Sequence, residues 1–444
     1  MQTPRQQSAP GRVLAALPAT RPFCAVAALT LAASLPACDM AGASGGTLDD
    51  LVPLAITEDR RLGDFDNPDV GFSQVSSLDV GDEGLVYVTE ASVPEIRVYD
   101  ADGRVIRRIG RRGEGPGEFQ FPASFGLLGD TVWTWDSRLR RITLFDREGR
   151  VLSTARVEPV QVALPTGYAS VLPWRMRPDG RFTSRASMVG GLRPDDPPTG
   201  VRPTDSIPVP LVLFDTRGQV TDTIGWAGRP PPRLWRPPSE DDFRMEFVHV
   251  GEERYMVPNP PTTLPFWESL HDGYISVETP VATSADQGTI TVTRMGLHGD
   301  TVYSRVLPYR PRPYTAAALD SVAARAARGA PGGGVPFSPG QEAEPPNVDR
   351  VTRALRTAMD FPGFQLPVVA TWLAQDETLW LRLTGGADGE PVGWVLIDPA
   401  GEPRGRLEMA PLVRPLWARG DTVWAVEPGE FDVPWVVRYR LEEG

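Results

Sequence analysis

The sequence predicts an all-β fold, namely a six-bladed β-propeller of four-stranded antiparallel blades with a small helical insertion between blades four and five. Two repeated signatures support this prediction: a hairpin that recurs six times, and a second pair of β runs that follows each hairpin. The 47 Pro and 44 Gly among 444 residues supply the many turns that such a chain needs. Repeated antiparallel units of this size are typical of propellers, in which radial repetition leaves only short sheet edges.

The first signature is a polar turn that leads into a short apolar run with an aromatic or β-branched centre. Its copies are GDEGLVYVTE (81–90), GDTVWTWD (129–136), PDGRFTSR (178–185), HDGYISVE (271–278), QDETLWLRL (375–383) and GDTVWAVE (420–427). Each copy is expected to join the first strand of a blade to the second.

The second signature consists of two β runs joined by a turn that contains Asp or Gly. It follows the first five hairpins, at 96–110, 142–157, 211–225, 291–306 and 394–409. The sixth copy, 436–444, stops at its turn, and the extended segment 51–63 can supply the missing strand. We therefore expect the first and last strands to share one blade and close the ring.

The most regular copy of the repeat lies in 110–151. Gly-Pro-Gly-Glu-Phe at 115–119 is followed by Asp136, by Arg141 five residues later, and by Phe145 before the turn. This pattern resembles the NHL-repeat propellers, and unit one follows it more loosely, with Glu90 and Glu95 at the two charged places. The resemblance implies that the acidic residue fixes a neighbouring loop through hydrogen bonds and an Arg partner.

The N-terminal 38 residues are typical of an export signal, with Arg but no acid ahead of an apolar stretch, 22–35, that is too short to span a bilayer. Leu35-Pro36-Ala37-Cys38 resembles the lipobox of bacterial lipoproteins, in which the Cys becomes the lipidated first residue. Lipoboxed six-bladed propellers form a bacterial family that this chain resembles. The alternative is ordinary cleavage near Ala37.

These features predict the organisation of the chain. Residues 1–38 form the signal peptide with its lipobox, 39–50 form a flexible tether, and 51–444 form the propeller. The chain is expected to be exported and held at the bacterial cell envelope, periplasmic or surface-facing, by a lipid on Cys38 that inserts in the membrane.

Composition excludes several classes of function. All 45 basic residues are Arg, so mechanisms that need a lysine amine, such as a Schiff base or a Walker-type phosphate loop, are excluded. The net charge of −12 argues against nucleic acid as a partner, because such a protein needs a basic face.

The insertions indicate where a functional surface lies. We define the loop-rich face as the one formed by connections between second and third strands and between successive blades. The predicted insertions 186–210, 226–261 and 309–365 all fall on it, and the last contains helical patterns over 315–328 and 347–360. Binding loops accumulate on rigid scaffolds in this way. The alternative is that the insertions shield the ring or dock a partner subunit.

One column of residues could carry chemistry. The six hairpins align on their central aromatic or β-branched residues, which are Tyr87, Trp133, Phe182, Ile275, Trp380 and Trp424. The residues three positions after these centres form the column, which reads Glu90, Asp136, Arg185, Glu278, Leu383 and Glu427. The four carboxylates are candidate ligands for a divalent cation such as calcium, or a candidate acid–base pair. The alternative is the structural role that the NHL resemblance implies, in which case no cofactor is bound.

Two further sets of residues are candidates for ligand binding. Trp174, Trp372 and Trp417 lie on predicted first strands, which line a propeller channel, and could stack on a sugar or another ring. Arg111, Arg112 and Glu114 precede the Gly-Pro-Gly turn and could hold an anion. Packing between blades and a solvated charge run are the respective alternatives.

Two functional hypotheses follow. The first is an envelope-anchored propeller that binds a partner protein, a peptide or a small ligand on its loop-rich face without catalysis. The second is a metal-dependent propeller enzyme, a lyase or a lactonase-type hydrolase, that uses the carboxylate column.

Overall fold

The computed structural model describes residues 46–64, 66–67, 70–91, 93–164, 167–190, 207–229, 247–250, 253–257, 263–328, 348–359, 361–385, 390–430 and 433–443. The chain from Gly46 onward forms one compact unit, which contains every hydrophobic core cluster found in these ranges. The predicted signal peptide, Cys38 and the first part of the predicted tether lie outside the described residues. No described helix is long and apolar enough to cross a membrane.

The first strand, β1 (Pro53–Leu62), belongs to the last blade and is described with it. Blades one and two are four-stranded antiparallel sheets in chain order. Blade one consists of β2 (Val75–Val80), β3 (Val86–Glu90), β4 (Ile96–Tyr99) and β5 (Val105–Ile109). Blade two consists of β6 (Pro122–Leu128), β7 (Thr131–Asp136), β8 (Arg141–Asp146) and β9 (Val151–Arg156).

Blade three is longer than predicted and has a fifth strand. Its strands are β10 (Val160–Leu164), β11 (Gly167–Met176), β12 (Phe182–Gly190), β13 (Ile207–Phe214) and β14 (Val220–Arg229). The strands thus continue into both predicted insertions, 186–210 and 226–261. The short hairpin of β15 (Phe247–Val250) and β16 (Glu253–Met256) follows, and then blade four, with β17 (Thr263–Ser269), β18 (Gly273–Pro280), β19 (Gly288–Gly296) and β20 (Thr301–Tyr309).

The ring closes as the sequence predicts. Between blades four and five lie α1 (Ala316–Ala327) and α2 (Val348–Ala358). Blade five consists of β21 (Val368–Leu373), β22 (Leu379–Leu383), β23 (Val392–Ile397) and β24 (Pro403–Met409), and blade six has β25 (Arg414–Arg419), β26 (Thr422–Glu427) and β27 (Trp435–Glu443). β1 pairs antiparallel with β27 from Leu54–Glu443 to Leu62–Val436 and so becomes the fourth strand of blade six. The start of β1 also pairs in parallel with β24, which joins blades five and six in one sheet.

The folded part begins before residue 51, so the predicted tether is shorter than 39–50. Residues Leu48–Asp50 form a turn of 3-10 helix, and Leu48 is buried among core residues of blades four and five. The side chain of Asp50 accepts hydrogen bonds from the Thr47 N–H and hydroxyl, which stabilises this turn. Burial of the Leu48 side chain anchors the segment because it removes apolar surface from water.

The six hairpin centres form the packing between blades. They are Tyr87, Trp133, Phe182, Ile275, Trp380 and Trp424, each at most 4% exposed. The rings of Trp133 in blade two and Phe182 in blade three, for example, meet edge to face at 5.3 Å. The repeated aromatic or β-branched position thus fills the space between neighbouring sheets, which explains why it recurs in the sequence.

The two largest insertions pack on each other. Tyr255 and Val257, at the hairpin after blade three, share a buried cluster with Ala323 of α1 and with Val351 and Leu355 of α2. Thr315 caps the N-terminus of α1, and its hydroxyl accepts the Ala318 N–H. The hairpin, α1 and α2 thus pack into one cluster, which is built from blade-to-blade connections of the loop-rich face.

Candidate functional site

The first strands of the six blades enclose a central channel with a cavity of about 620 Å³. Its lining includes Leu412, in the connection between blades five and six, and His271, in a short turn of the opposite face. A second cavity of about 280 Å³ lies between blades three and four. The two cavities share the residues Trp174, Arg185, Glu268, Ser269, Ala370 and Thr371, so we call this set the junction.

β-Bulges shape this channel. The pairing of first and second strands is interrupted in every blade except blade four, which leaves one extra residue in each first strand. These extra residues are Ser76, Ala123, Trp174, Val369 and Leu416, and all of them line one or both cavities. A bulge changes the direction of side chains next to a site, and here the bulged residue of blade three, Trp174, belongs to the junction.

Arg185 is the exposed residue of the junction, and Trp174 lies against it. The guanidinium of Arg185 lies over the Trp174 ring, 4.3 Å from its centroid. Arg185 occupies, in blade three, the column position that holds an acid in blades one and two. It is exposed, and within the described residues it stacks on this ring instead of forming a salt bridge.

Glu268 and Arg175 form the deeper part of the channel wall. Glu268 accepts a hydrogen bond from the Thr371 hydroxyl at 2.6 Å. Burial raises the pKa of Glu268, although Thr371, Arg185 and Arg175 act in the opposite direction. Arg175 donates to the Leu373 carbonyl oxygen at 3.4 Å, and its Nη1 has no hydrogen-bond partner among the described residues.

Of the three predicted channel tryptophans, two line the cavity. Trp174 and Trp372 belong to its wall, whereas Trp417 is 5% exposed and packs in the core behind it. The Trp417 indole N–H donates to Asp79 Oδ1 at 2.9 Å. Asp79 also accepts the N–H of Leu127 from blade two, so this pair links blades six, one and two and has a structural role.

The carboxylate column does not form a metal site. Asp136 is 1% exposed, and its two oxygens accept four backbone N–H groups, from Gln120, Phe121, Arg138 and Leu139, at 2.7 to 3.0 Å. Arg141 donates to the carbonyl oxygens of Glu114, Gly115 and Glu118 in the same loop. Asp136 thus fixes its loop, as the NHL resemblance implies.

Glu90 has the same role in blade one, with a different partner. It is 3% exposed and accepts the N–H groups of Ser73 and Gln74 at 2.5 and 3.1 Å. Its ion-pair partner is Arg97, which also donates to the Gly71 carbonyl oxygen at 2.7 Å. The residue at the position of Arg141 is Glu95, so Arg97, two residues later on the same strand face, replaces it.

The other two column carboxylates lie apart from these. Glu278 is exposed on blade four, and Glu427 forms an ion pair with Arg61 at 2.7 Å and a hydrogen bond with Tyr439. Within the described ranges, no group of three His, Cys, Asp or Glu side chains is arranged to hold a metal ion. Glu90, Asp136 and Glu427 therefore each bond to groups of their own blade.

The predicted anion site at Arg111, Arg112 and Glu114 is a loop with internal bonds. Arg111 pairs with Glu118 at 2.8 Å, and Glu114 accepts the Gln120 side-chain amide at 2.6 Å. All three predicted residues are exposed, and they are not part of either cavity wall. The structure does not bring them together with Trp174 and Trp372.

Fold and channel together define a six-bladed β-propeller with a candidate ligand site on its axis. A family model, DUF5128, described as a 6-bladed beta-propeller, matches residues 67–164, which cover blades one and two. No curated protein sequence matches this chain.

Several solved structures are similar to the chain in fold. A protein of Bacteroides fragilis described as exported has 10% identity and a TM-score of 0.41, over 90% of this chain and 98% of that one. A member of the duf4221 family from Bacteroides vulgatus has 10% identity and a TM-score of 0.44, over 88% and 99%. Virginiamycin B lyase from Staphylococcus aureus has 11% identity and a TM-score of 0.31, over 88% and 99%.

Proposed function

We propose that the protein is an exported, envelope-anchored propeller that binds a small ligand in its central channel without turnover. The observation that supports this most is the pair of adjacent cavities that share Trp174 and Arg185. The channel cavity, at about 620 Å³, falls within the range of small-molecule sites, which are typically about 300–1,000 Å³ and combine apolar walls with a few polar groups.

The contrast between blades supports the same proposal. In blades one and two the column residue is a buried acid whose oxygens are bonded to loop N–H groups. In blade three it is Arg185, which is exposed at the junction. The side chain that elsewhere stabilises the scaffold is here available for a ligand.

Ligand-observed NMR on the Gly46–Gly444 unit, with a fragment library of neutral, anionic and cationic compounds, tests the proposed site. We expect a set of fragments to bind the native unit and to lose binding in Trp174→Ala. Trp226→Ala is the matched control, because Trp226 lies on the same blade, is 58% exposed and lines neither cavity. Binding that is unchanged in Trp174→Ala would contradict the proposal.

The anchor is tested separately in cells. Labelling with an alkynyl fatty acid should tag the full chain and should fail in Cys38→Ser. A chain that is exported but never labelled would show ordinary cleavage near Ala37, and the envelope-anchored part of the proposal would then be wrong.

A further inference from the structure

The side cavity between blades three and four is lined by apolar and aromatic side chains together with several polar ones. Leu211 and Val209 come from blade three, and Phe266, Trp267 and Tyr274 come from blade four. The rings of Trp267 and Tyr274 pack at 5.4 Å. At about 280 Å³, this space is large enough for an aromatic ring or a branched alkyl group and offers it apolar contact on several sides.

Four polar side chains of this cavity, those of Arg185, Glu268, Ser269 and Thr371, lie at its junction with the channel. Ser184 lines the side cavity only, and Arg175 lines the channel only. A ligand group in the side cavity therefore has its polar substituent beside Arg185. The arrangement favours an amphipathic molecule over a uniformly polar one.

The charged residues at the junction indicate whether the polar group of the ligand is an anion or a cation. The guanidinium groups of Arg175 and Arg185 both act on the carboxylate of Glu268, and Asp79 and Glu377 also act on Arg175. In the described residues neither arginine forms a salt bridge with a carboxylate, and Arg175 has one long hydrogen bond. Burial disfavours the charged forms of both Glu268 and Arg175, whereas Arg185 is exposed, so the Arg185 guanidinium is the group that an incoming anionic substituent meets.

We infer that the ligand of this site is a small carboxylic acid whose aromatic or branched apolar group occupies the side cavity while its carboxylate binds at Arg185. The inference rests on the proposed function and specifies the chemical class of its ligand. Arg185 is suited to this role because a guanidinium binds a carboxylate through two parallel N–H donors, and Trp174 holds it in place.

Isothermal titration calorimetry of the Gly46–Gly444 unit with phenylacetate, phenylacetamide and acetate tests this inference. We expect phenylacetate to bind, and both other compounds to bind at least about tenfold more weakly, since one lacks the charge and the other the ring. Arg185→Gln should weaken phenylacetate about tenfold and leave phenylacetamide unchanged. The control is Arg217→Gln, an identical charge change at an exposed turn of the same blade.

The outcomes separate this inference from the proposed function. Equal affinity for phenylacetate and phenylacetamide, or equal binding by Arg185→Gln and native unit, would overturn the carboxylate inference alone. Fragments that bind in a Trp174-dependent manner without any phenylacetate binding would also overturn it alone. If neither fragments nor phenylacetate bind, both the inference and the proposed function are wrong.

Discussion

Asp136→Asn should destabilise the propeller strongly, although the two side chains have nearly the same shape. Asp136 accepts two N–H groups on each carboxylate oxygen. An amide keeps one accepting oxygen and turns its NH₂ group towards two N–H donors, so two hydrogen bonds to a buried charge are lost. Each such bond contributes about 1.5–3 kcal/mol, and the free energy of unfolding should therefore fall by about 3–6 kcal/mol.

Differential scanning calorimetry measures this loss as a change in Tm. An unfolding entropy of about 2.1 cal/mol/K per residue gives about 0.8 kcal/mol/K for roughly 400 residues, so Tm should fall by about 4–7 °C. Asp130→Asn is the matched control in blade two, because Asp130 is 90% exposed and its ion pair with Arg147 contributes little. A fall below 1 °C, or one equal to that of the control, would refute the reasoning.

Three further predictions concern the scaffold. Arg97→Met leaves the buried carboxylate of Glu90 without its ion-pair partner and should cost about 3–5 kcal/mol in urea unfolding, far more than Arg108→Met at the surface. Burial raises the pKa of Glu377, but the hydrogen bonds from His271 and the charge of Arg294 prevail and lower it from 4.5 to about 2. The stability that this lowered pKa provides is complete above pH 4.5 and is lost as the pH falls towards 2. In a plot of Tm against pH, Glu377→Gln should therefore have a smaller slope than the native protein between pH 4.5 and 2, and an unchanged slope would contradict this. Removal of residues 46–62 should make blade six sensitive to trypsin, and a synthetic 51–63 peptide should restore protection, whereas a scrambled peptide should not.

The fold could be predicted from the sequence because its stabilising pattern is periodic. The hairpin centres are aromatic or β-branched residues that occupy the same register in every blade, and all of them are buried between sheets. The closing strand was predictable for the same reason, since the sixth unit lacked one strand and 51–63 matched it. The loop-fixing role of Asp136 was implied by the resemblance of 110–151 to the NHL repeat.

The candidate site could not be predicted in full because it depends on local shifts of one residue. A bulge such as that at Trp174 changes which side chains of a first strand line the channel, and a period of two does not reveal it. Arg175 was missed for this reason, and Trp417 was placed on the channel wall although it donates to Asp79. Arg97 was missed because it reaches Glu90 from two residues beyond the expected place.

Closure by β1 also determines when the ring can form during synthesis. Among the described residues, the first strand to be synthesised pairs with the last one, since Leu54 lies opposite Glu443. Joining segments separated by about 390 residues costs on the order of 5 kcal/mol in chain entropy before their contacts stabilise the product. Until the C-terminal strand is complete, the outer edge of the last blade therefore stays unpaired, and this is the interval in which the nascent chain most needs protection from aggregation.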